Sequence, residues 1–515
     1  MDGPSGPDDD KKKFFEVVMA ESVDILFINP GDRKQIYQGL GDEFSAIEPP
    51  VFAGLFATYV RRKGLSSAIY DAPAFGVSAQ EVARIATEEY KPTLIGIVVY
   101  GFQPSASTQN MTAAGAIATA IKEAGTDAAV MMTGTHIASL PKRTMEEEAI
   151  DFACDQEGPA TIFKTFQALK AGVSDFGDIP SLWWRDGSRI VPPKSAEPLL
   201  QDIDNEMPGI AWDLLPMDRY RAHNWHSFEH IHNRSPYAAV HTSLGCPYKC
   251  SFCCINAPFG RSSYRMWEPE TVIKELDFLA ETYGVVNVKF VDEMFVLNKR
   301  HVMGLCNLLK SRDYKVNIWA YARVDSVQDE FLDTMKAAGV DWVCLGIESA
   351  STHVRDGAHK IYGNDDIIDV VRRIQGAGIN IIGNYIFGLP DDTMERMQAT
   401  FDLALELNCE FANFYSAMAY PGSPLYAEAM KQGRAMPPTW KDYSQHGYEC
   451  TPLANDFCSS ADILGFRDKA FDAYFTHKPY LDLVKRKFGQ DVVDHIGRMQ
   501  SIPLRRKLLE TRNAA

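Results

Sequence analysis

The strongest constraint on the fold is an alternation of apolar segments and helical patterns that occurs in two separate parts of the chain. In residues 21–170, apolar runs at 23–28, 67–70, 94–100 and 128–132 alternate with helical patterns, of which the third is predicted at 110–124 after a loop at 100–108. In residues 236–430 the alternation repeats through six strand and helix units, including a predicted helix at 269–283 and a predicted strand at 380–387. Strands that alternate with helices predict parallel sheets covered by helices. The sequence therefore predicts an α/β protein, with an open doubly wound domain followed by a partial barrel of six β/α units.

Three further segments flank and join these two domains. Residues 1–20 are polar and rich in Gly and Pro, which predicts a disordered tail. Residues 171–235 form a turn-rich connector with a predicted hairpin at 181–192. The connector also carries His223, His226, His230 and His232, which we expect at the surface, with a substrate or cofactor contact as the alternative. Residues 431–515 are predicted to form a helical carboxyl-terminal domain.

Composition excludes several classes of protein. With 46% hydrophobic and 23% charged residues, the 515-residue chain resembles soluble globular proteins. Its net charge is -16, and no cluster of Lys and Arg suggests an electrostatic footprint for DNA or RNA, so nucleic acid is not an expected substrate. No apolar run reaches the roughly 18 residues of a membrane span, and residues 1–13 lack the apolar region of a signal peptide. A cytosolic location is expected, and the ten cysteines suit a reducing compartment.

Three of those cysteines, Cys246, Cys250 and Cys253, have the spacing C-x3-C-x2-C at the end of the first strand of the predicted barrel. Three thiolates can hold three irons of a four-iron cluster and leave the fourth iron free to bind another ligand. A structural zinc site is the alternative, although zinc requires a fourth ligand and usually C-x2-C or C-x4-C pairs. Cys254 is left out of the predicted cluster. The other six cysteines are dispersed in apolar segments, which argues against a second cluster.

The cysteine spacing, with Phe252 directly before the third cysteine, resembles the radical S-adenosylmethionine (SAM) enzymes. The resemblance implies that the free iron chelates SAM and that an electron from the cluster cleaves SAM to a 5'-deoxyadenosyl radical. It also implies that polar residues at the strand ends of the barrel contact SAM. The residues to which it assigns SAM contacts are Phe252, Asp292, Glu293, Arg323, Glu348, Ser349 and Gly388. Among these, Arg323 is expected to form a two-pronged pair with the SAM carboxylate. The alternative is that such strand-end charges are solvated or paired with each other.

A doubly wound domain that leads into a C-x3-C-x2-C domain is similar to the cobalamin-binding class of radical SAM enzymes. Residues 134–141 and 155–159 resemble the Gly-Gly-x-His and Gly-Glu-Gly segments of that class. The resemblance implies a flavodoxin-like domain that contacts the corrin or its nucleotide tail. The candidate contacts are Ser105, Ser107, Thr108, Gly134, Thr135 and His136.

The chain lacks the Asp-x-His-x-x-Gly motif that supplies the cobalt ligand in other cobalamin domains. The cobalamin-binding class of radical SAM enzymes commonly lacks this motif too. The lower ligand of cobalt is therefore not identified, and for His136 we expect contact with the cofactor rather than ligation of cobalt. The methylthiotransferases, which resemble the chain in the barrel, carry three further cysteines in the amino-terminal domain. This chain has only Cys154 there.

The function implied by the resemblance is a cobalamin-dependent methyltransferase that acts on an unactivated carbon of a small molecule. Its implied cofactors are a 4Fe-4S cluster, SAM and cobalamin, and its implied electron donor is of the flavodoxin or ferredoxin type. One alternative is a cyclase or oxidative enzyme like the anaerobic magnesium-protoporphyrin monomethyl ester cyclases. Another, from a different class, is a non-catalytic redox sensor. The substrate is not identified, but possible pocket residues in the last domain are Tyr443, His446, Tyr448, Arg467, Asp468 and Tyr474.

Overall fold

A computed structural model describes residues 22–101, 104–360 and 362–514, so the predicted disordered tail lies outside the described residues. The chain forms two α/β sheets joined by the connector. One continuous hydrophobic core runs through both sheets and into the last helices. No helix in the described ranges combines the length and the apolar character needed to cross a membrane.

The first sheet has seven strands, of which the first five are parallel. The strands are β1 (Ile25–Asn29), β2 (Ser67–Asp71), β3 (Leu94–Val98), β4 (Ala129–Thr133), β5 (Phe152–Cys154), β6 (Leu182–Asp186) and β7 (Arg189–Val191). Their order is β2-β1-β3-β4-β5-β6-β7, and its parallel part is the order of flavodoxin-like folds. The prediction of a doubly wound domain is therefore confirmed. The direction of winding reverses between β1 and β3, where such folds bind their ligands.

Helices cover both faces of this sheet. They are Arg33–Tyr37, Leu40–Glu43, Val51–Arg62, Ala72–Phe75, Ala79–Arg84, the π-helical Ile85–Tyr90, Pro104–Glu123, Thr135–Ser139, Pro141–Glu147 and Pro159–Lys170. One begins earlier than predicted, because the expected start at residue 110 is replaced by Pro104. Proline favours the first helical position, where its missing N–H is not needed. Ser107 and Thr108 therefore lie on a helix and not in the loop where they were expected.

The hairpin predicted within the connector belongs to the first sheet. Strands β6 and β7 form it, and β6 pairs antiparallel with β5 through Phe152 and Trp184. The Trp184 ring packs against Phe176 with centroids 5.6 Å apart. The sheet therefore extends past residue 170, where the sequence placed the end of the domain, because these aromatic rings bury the hairpin against it.

The second sheet has six parallel strands in consecutive order and is called the half-barrel here. The remaining strands are β8 (Tyr237–Val240), β9 (Ser243–Leu244), β10 (Arg265–Met266), β11 (Asn287–Phe290), β12 (Asn317–Arg323), β13 (Val340–Glu348), β14 (Asn380–Phe387) and β15 (Phe411–Ser416). The half-barrel contains β8 and β11–β15, with β8 and β15 at its edges. The predicted array of six units is confirmed. Strands β9 and β10 form a separate antiparallel pair.

Helices follow the strands of the half-barrel and continue into the last domain. Those of the half-barrel are Pro269–Tyr283, Lys299–Lys310, Asp329–Ala337, Thr352–Gly357, Asn364–Gly376 and Met394–Leu407. Those beyond it are Pro424–Lys431, Ser460–Phe475, Lys478–Phe488, Gln490–Gln500 and Lys507–Ala514, which agree with a helical last domain. Shorter helices are Ile203–Glu206, Trp212–Leu214, Met217–Arg219, Trp225–His230, Ala257–Phe259, Val324–Ser326 and Trp440–Tyr443.

The connector closes the amino-terminal end of the half-barrel. Trp225 packs against Trp319 and Trp342, with ring centroids 5.0 and 5.7 Å away. The Nε2 atom of His226 lies 2.9 Å from the backbone oxygen of Asn317 at the start of β12. His226 has no exposed surface, so the expectation of a surface histidine is wrong at this position. This end of the half-barrel is filled by packing, which leaves chemistry to the opposite end.

Candidate functional site

The three cysteines lie on a loop that leaves and returns at the carboxyl-terminal end of β8. Because β9 and β10 pair with each other, residues 245–264 form one closed hairpin, called the cysteine loop here. Asn256 braces it: its Oδ1 accepts from the Cys246 backbone N–H at 3.4 Å, and its Nδ2 donates to the Tyr248 oxygen at 3.3 Å. Gly245 begins the loop with a φ of 84°, and a Cβ there would lie 2.6 Å from the Ser263 oxygen. Only glycine fits that position.

The thiols of the cysteine loop influence one another. Burial raises the pKa of Cys246 to about 11, and Glu293 and the Cys250 thiol add to the shift. Burial also raises the pKa of Cys253 well above its ordinary value, with further contributions from Cys254, Cys250 and Cys246. The loop therefore gathers three soft sulfur donors in one place, as a four-iron cluster requires. Cofactor binding must pull these thiols to the thiolate form, since the thiolate is the metal ligand.

The described residues contain no group of three or more His, Cys, Asp or Glu side chains that could hold one metal ion. A four-iron cluster binds each cysteine through a different iron, so its ligands need not converge on a single ion. The donor set therefore fits a cluster, with Cys246, Cys250 and Cys253 as the residues that would hold it.

Arg323 lies beside the cysteine loop at the end of β12. Its Nε and Nη2 atoms donate to the two Asp325 carboxylate oxygens at 2.9 and 3.0 Å. Its Nη1 atom donates to the Cys250 sulfur at 3.3 Å, and the guanidinium carbon lies 3.9 Å from the centre of the Tyr248 ring. The two-pronged pair expected with SAM is therefore made with Asp325. A contact of Arg323 with SAM stays a prediction.

Asp292 supports the start of the cysteine loop. It is fully buried, and its carboxylate accepts from the Thr242 N–H at 2.6 Å, the Thr242 hydroxyl at 2.5 Å and the Ser243 hydroxyl at 2.7 Å. Burial raises the pKa of this carboxyl, and the hydrogen bonds oppose that shift. Asp292, one of the residues to which the resemblance assigns a SAM contact, thus joins the end of β11 to the chain that leads into β9. Its contact with SAM is not tested.

Glu348 forms a buried ion pair at the end of β13. Its Oε1 atom binds the Lys360 ammonium group, and both residues are buried. The backbone of Glu348 has a φ of 67°, which is strained for a residue with a side chain. Lys360 also lies 5.9 Å from the centre of the Phe252 ring. Sequence reasoning missed Lys360, since no motif marks it, and the pair brings β13 next to the third cysteine.

Two other predicted SAM contacts are parts of strand-end turns. The Ser349 hydroxyl lies 3.1 Å from the Thr400 hydroxyl. Gly388 has a φ of 84°, and its N–H donates to Asp392 at 3.0 Å. A Cβ on Gly388 would lie 2.6 Å from the Ile463 side chain of the last domain. Both residues therefore shape the rim of the half-barrel, and their contact with SAM stays a prediction.

Most of the residues assigned to the corrin lie together at the carboxyl-terminal edge of the first sheet. Ser107 Oγ accepts from the His136 N–H at 3.0 Å and donates to the Val99 oxygen, and Thr108 Oγ1 lies 3.2 Å from His136 Nδ1. Gly134 has a φ of 149°, and a Cβ there would meet the Val99 oxygen at 2.1 Å. The side chain of Ser105 lies outside the described residues. A side chain at position 134 would clash with the Val99 backbone, so glycine is what lets the chain after β4 pack this closely against the end of β3.

His136 is a buried, neutral imidazole. Burial lowers its pKa to about 3, with a further contribution from Arg143. Its ring meets Trp440 of the last domain at 4.4 Å between centroids. The last domain therefore reaches the edge of the first sheet and fixes the orientation of this ring.

A single cavity joins the first sheet to the cysteine loop. Glu293 faces it with an Oε2 atom that is buried and has no hydrogen-bond partner, and burial raises its pKa to about 8. His241 also lines it: neither ring nitrogen forms a hydrogen bond, Nδ1 lies 3.9 Å from Asp292 Oδ1, and burial lowers the pKa of His241 to about 3. The lining residues are Phe52, Tyr100, Gly101, Thr135, His241, Leu244, Gly245, Ile255, Pro258, Phe259, Val291 and Glu293. Unpaired buried polar groups are costly, so these two side chains make the cavity a candidate ligand site.

Sequence reasoning missed His241. Its only signal is its position, immediately after β8 and five residues before Cys246.

Two buried ion pairs join the first domain to the second domain. Arg265 on β10 binds Glu157 at 2.7 Å, and Lys289 on β11 binds Glu48 at 3.0 Å. Glu157 belongs to segment 155–159, which the sequence compared with a cobalamin-domain motif. Here that segment anchors the cysteine loop to the first sheet.

Comparisons with known proteins agree with this geometry. The family described as Radical SAM superfamily matches residues 240–404. The uncharacterized methyltransferase PH0819 of Pyrococcus horikoshii is 30% identical over 423 residues, which cover 82% of this chain and 86% of that protein. The chain belongs to the radical SAM superfamily. The resemblance drawn from the cysteine motif is thereby confirmed, and membership implies a 4Fe-4S cluster and SAM.

Two further comparisons bear on the arrangement of domains. The anaerobic magnesium-protoporphyrin IX monomethyl ester cyclase of Rubrivivax gelatinosus is 24% identical over 89% of this chain and 78% of that protein. The structure of the cobalamin-dependent SAM radical enzyme OxsB, with aqua-cobalamin and SAM bound, has a TM-score of 0.67. It is 15% identical and covers 93% of this chain and 72% of that one. The whole two-sheet fold, and not the half-barrel alone, is thus shared with a known member.

In this radical SAM enzyme, most of the predicted pocket residues of the last domain are already engaged. Asp468 pairs with Arg467 at 2.8 Å and with Arg506 at 2.9 Å, and the Tyr474 hydroxyl donates to the Cys409 oxygen at 2.6 Å. Arg467 also lies 3.3 Å from His446, while Tyr443 is buried and Tyr448 donates to Glu510 at the surface. The Tyr474 contact attaches the last domain to the turn before β15, and the other contacts join residues of the last domain to one another. A role of these residues in substrate binding is not tested.

Proposed function

We propose that the chain is a cobalamin-dependent radical SAM methyltransferase that methylates an unactivated carbon of a small molecule. The observation that carries the proposal is the cavity between the two sheets. Thr135, from the group assigned to the corrin, and Gly245, from the cysteine loop, both line it. The residues assigned to the methyl donor and those assigned to the cluster therefore border the same cavity, and positioning of this kind is the main contribution a protein makes to cofactor chemistry.

When bound, the cluster with SAM supplies radical chemistry, and cobalamin supplies a transferable methyl group. The protein holds the cluster with Cys246, Cys250 and Cys253. Asp292 and Asn256 fix the two parts of the cysteine loop. The buried ion pairs of Glu157 and Glu48 join the first domain to the second and so fix the position of one relative to the other, which is what alignment of two cofactors requires.

The direct test is to load the purified protein with iron, sulfide and cobalamin without oxygen, and then add dithionite and SAM carrying a labelled methyl group. The proposal expects deoxyadenosine, bound cobalamin and label transferred to cobalamin. Absence of bound cobalamin, or of label on it, would refute the methyltransferase proposal.

A second candidate is a cyclase or oxidative enzyme, which the cyclase relative favours because it spans 89% of the chain. In the same test this candidate expects deoxyadenosine but no label transferred from SAM. A non-catalytic sensor expects no deoxyadenosine and no transferred label.

The finer features of the proposal concern partners and location. We infer an electron donor of the flavodoxin or ferredoxin type, a cytosolic location and no nucleic-acid substrate. The net charge of -16 supports the last point, because a phosphate backbone is bound by clustered Lys and Arg.

A further inference from the structure

Arg323 is held against a cysteine sulfur by contacts on every side of its guanidinium group. Asp325 accepts from two nitrogens, the Tyr248 ring lies on one face, and the remaining terminal nitrogen donates to Cys250 Sγ at 3.3 Å. Only 7% of the Arg323 side chain is exposed. The turn that carries it is also fixed, because Ser326 Oγ accepts from the Arg323 N–H at 3.1 Å and donates to the Arg323 oxygen at 3.0 Å. The guanidinium is therefore oriented toward the sulfur before any cofactor binds.

We propose that Arg323, oriented by Asp325, sets the reduction potential of the cluster through its hydrogen bond to Cys250 Sγ. The inference rests on the proposed assignment of Cys250 as a cluster ligand. Arg323 is a positioning residue in this role, since it acts through the sulfur and not on SAM.

The physical reason is the charge that reduction adds. One electron from the donor protein or from dithionite makes the cluster and its sulfur ligands more negative. A hydrogen bond from a cation to a ligand sulfur stabilises the more negative form, so it raises the reduction potential. Burial strengthens this effect because the local dielectric constant is low.

The Arg323–Asp325 pair allows hydrogen bonding to be separated from net charge. The two side chains carry opposite charges, so replacing both by neutral residues removes the hydrogen bond to sulfur and leaves the local net charge unchanged. Replacing Arg323 alone also leaves the Asp325 carboxylate unpaired near the sulfur. The single variant should therefore show the larger shift.

The experiment measures the midpoint potential of the reconstituted cluster by electron paramagnetic resonance, in a dye-mediated titration without SAM. The variants are Arg323→Gln, the double variant Arg323→Gln with Asp325→Asn, and Arg323→Lys. The control is Arg312→Gln, which breaks a similar two-nitrogen pair with Asp277. We expect the midpoint potential of Arg323→Gln to be lower than that of the wild type by at least about 59 mV. For a one-electron couple this is a tenfold fall in the ratio of reduced to oxidised cluster at a fixed potential. The double variant should fall by less, and Arg312→Gln should match the wild type.

Two results would overturn the inference. One is an unchanged potential in both Arg323→Gln and the double variant, with the affinity for SAM lowered instead, as expected for a SAM-carboxylate contact. The other is an unchanged potential in Arg323→Lys, which keeps the positive charge but loses the oriented fork. This result can be obtained even if the Arg323→Gln protein does not assemble a cluster. Failure of the cluster assignment itself is distinct, because the wild-type protein would then show no iron-sulfur signal.

Discussion

The two ends of the half-barrel are built from opposite kinds of contacts. At the amino-terminal end, Trp225, Trp319 and Trp342 pack together with almost no exposed surface. At the carboxyl-terminal end the contacts are ionic or hydrogen-bonded, as in the Arg323–Asp325 and Lys360–Glu348 pairs. The first end resists unfolding, and the second holds polar groups in set orientations at an energetic cost. Barrels commonly divide stability and chemistry between their two ends in this way.

The largest effect should follow removal of one thiol at the carboxyl-terminal end. Cys250→Ala, reconstituted without oxygen and given dithionite and SAM, should form no deoxyadenosine, because the cluster loses one of three ligands. Its thermal midpoint without cofactor should stay close to that of the wild type, since Cys250 is half-buried.

The matched control is Cys306→Ala, on the outer helix Lys299–Lys310. It should keep SAM cleavage and lose some stability, because Cys306 is fully buried. SAM cleavage at the wild-type rate in Cys250→Ala would show that the cysteine loop does not hold the cluster.

The converse pattern is expected at the amino-terminal end. Trp342→Ala should destabilise the protein by about 3 to 5 kcal/mol, the usual range for removing a large buried aromatic side chain. The cluster signal of the folded, reconstituted variant should be unchanged. Differential scanning calorimetry and electron paramagnetic resonance measure the two quantities.

Phe278→Ala is the control for that variant, since 42% of Phe278 is exposed. It should cost less than about 0.5 kcal/mol. An altered cluster signal in Trp342→Ala would show that the two ends are not independent.

The ion pair that anchors the cysteine loop to the first sheet should behave like a buried interaction. Glu157→Gln leaves Arg265 without a charge partner where both side chains are at most 10% exposed. We expect the free energy of unfolding to fall by about 3 kcal/mol. We also expect weaker retention of cobalamin on gel filtration.

Asp482→Asn breaks a surface pair with Lys478 and should cost at most about 1 kcal/mol. An equal loss of unfolding free energy in the two variants would mean that the Glu157 pair does not anchor the cysteine loop to the first sheet.

The last prediction concerns the pH dependence of stability set by Glu293. Burial raises the pKa of this carboxyl from 4.5 to about 8, so between these values the folded state binds more protons than the unfolded state. The Glu293 contribution to stability therefore falls as pH rises through this window, by at most about 1.4 kcal/mol per pH unit.

Glu293→Gln should flatten that fall when thermal midpoints of the cofactor-free protein are compared from pH 5 to 8. Glu270→Gln, at an exposed helix start, should reproduce the wild-type dependence. A Glu293→Gln curve parallel to the wild-type curve would contradict the burial of this carboxyl.

Local patterns were sufficient for the architecture and for the position of the cysteine loop. Helix Pro269–Tyr283 and strand Asn380–Phe387 have the predicted bounds, because periodicity and flanking turn residues are local signals. The start of the helix at Pro104 and the pairing of β6 with β5 were missed. The pairing depends on contacts between residues distant in the chain, which no window of sequence contains.

The sequence by itself determined the alternation of strands and helices, the three closely spaced cysteines and the polar residues at the strand ends. Only the tertiary structure decided how those polar residues are paired. Arg323 and Asp325 face each other across a single turn, Glu348 meets Lys360, and Asp292 binds the chain before the cysteine loop. A side chain's partner is set by the direction in which the folded backbone points it, and a motif specifies only its position along the chain. For the same reason the orphaned His241 and Glu293 became recognisable as walls of one cavity only after both sheets were in place.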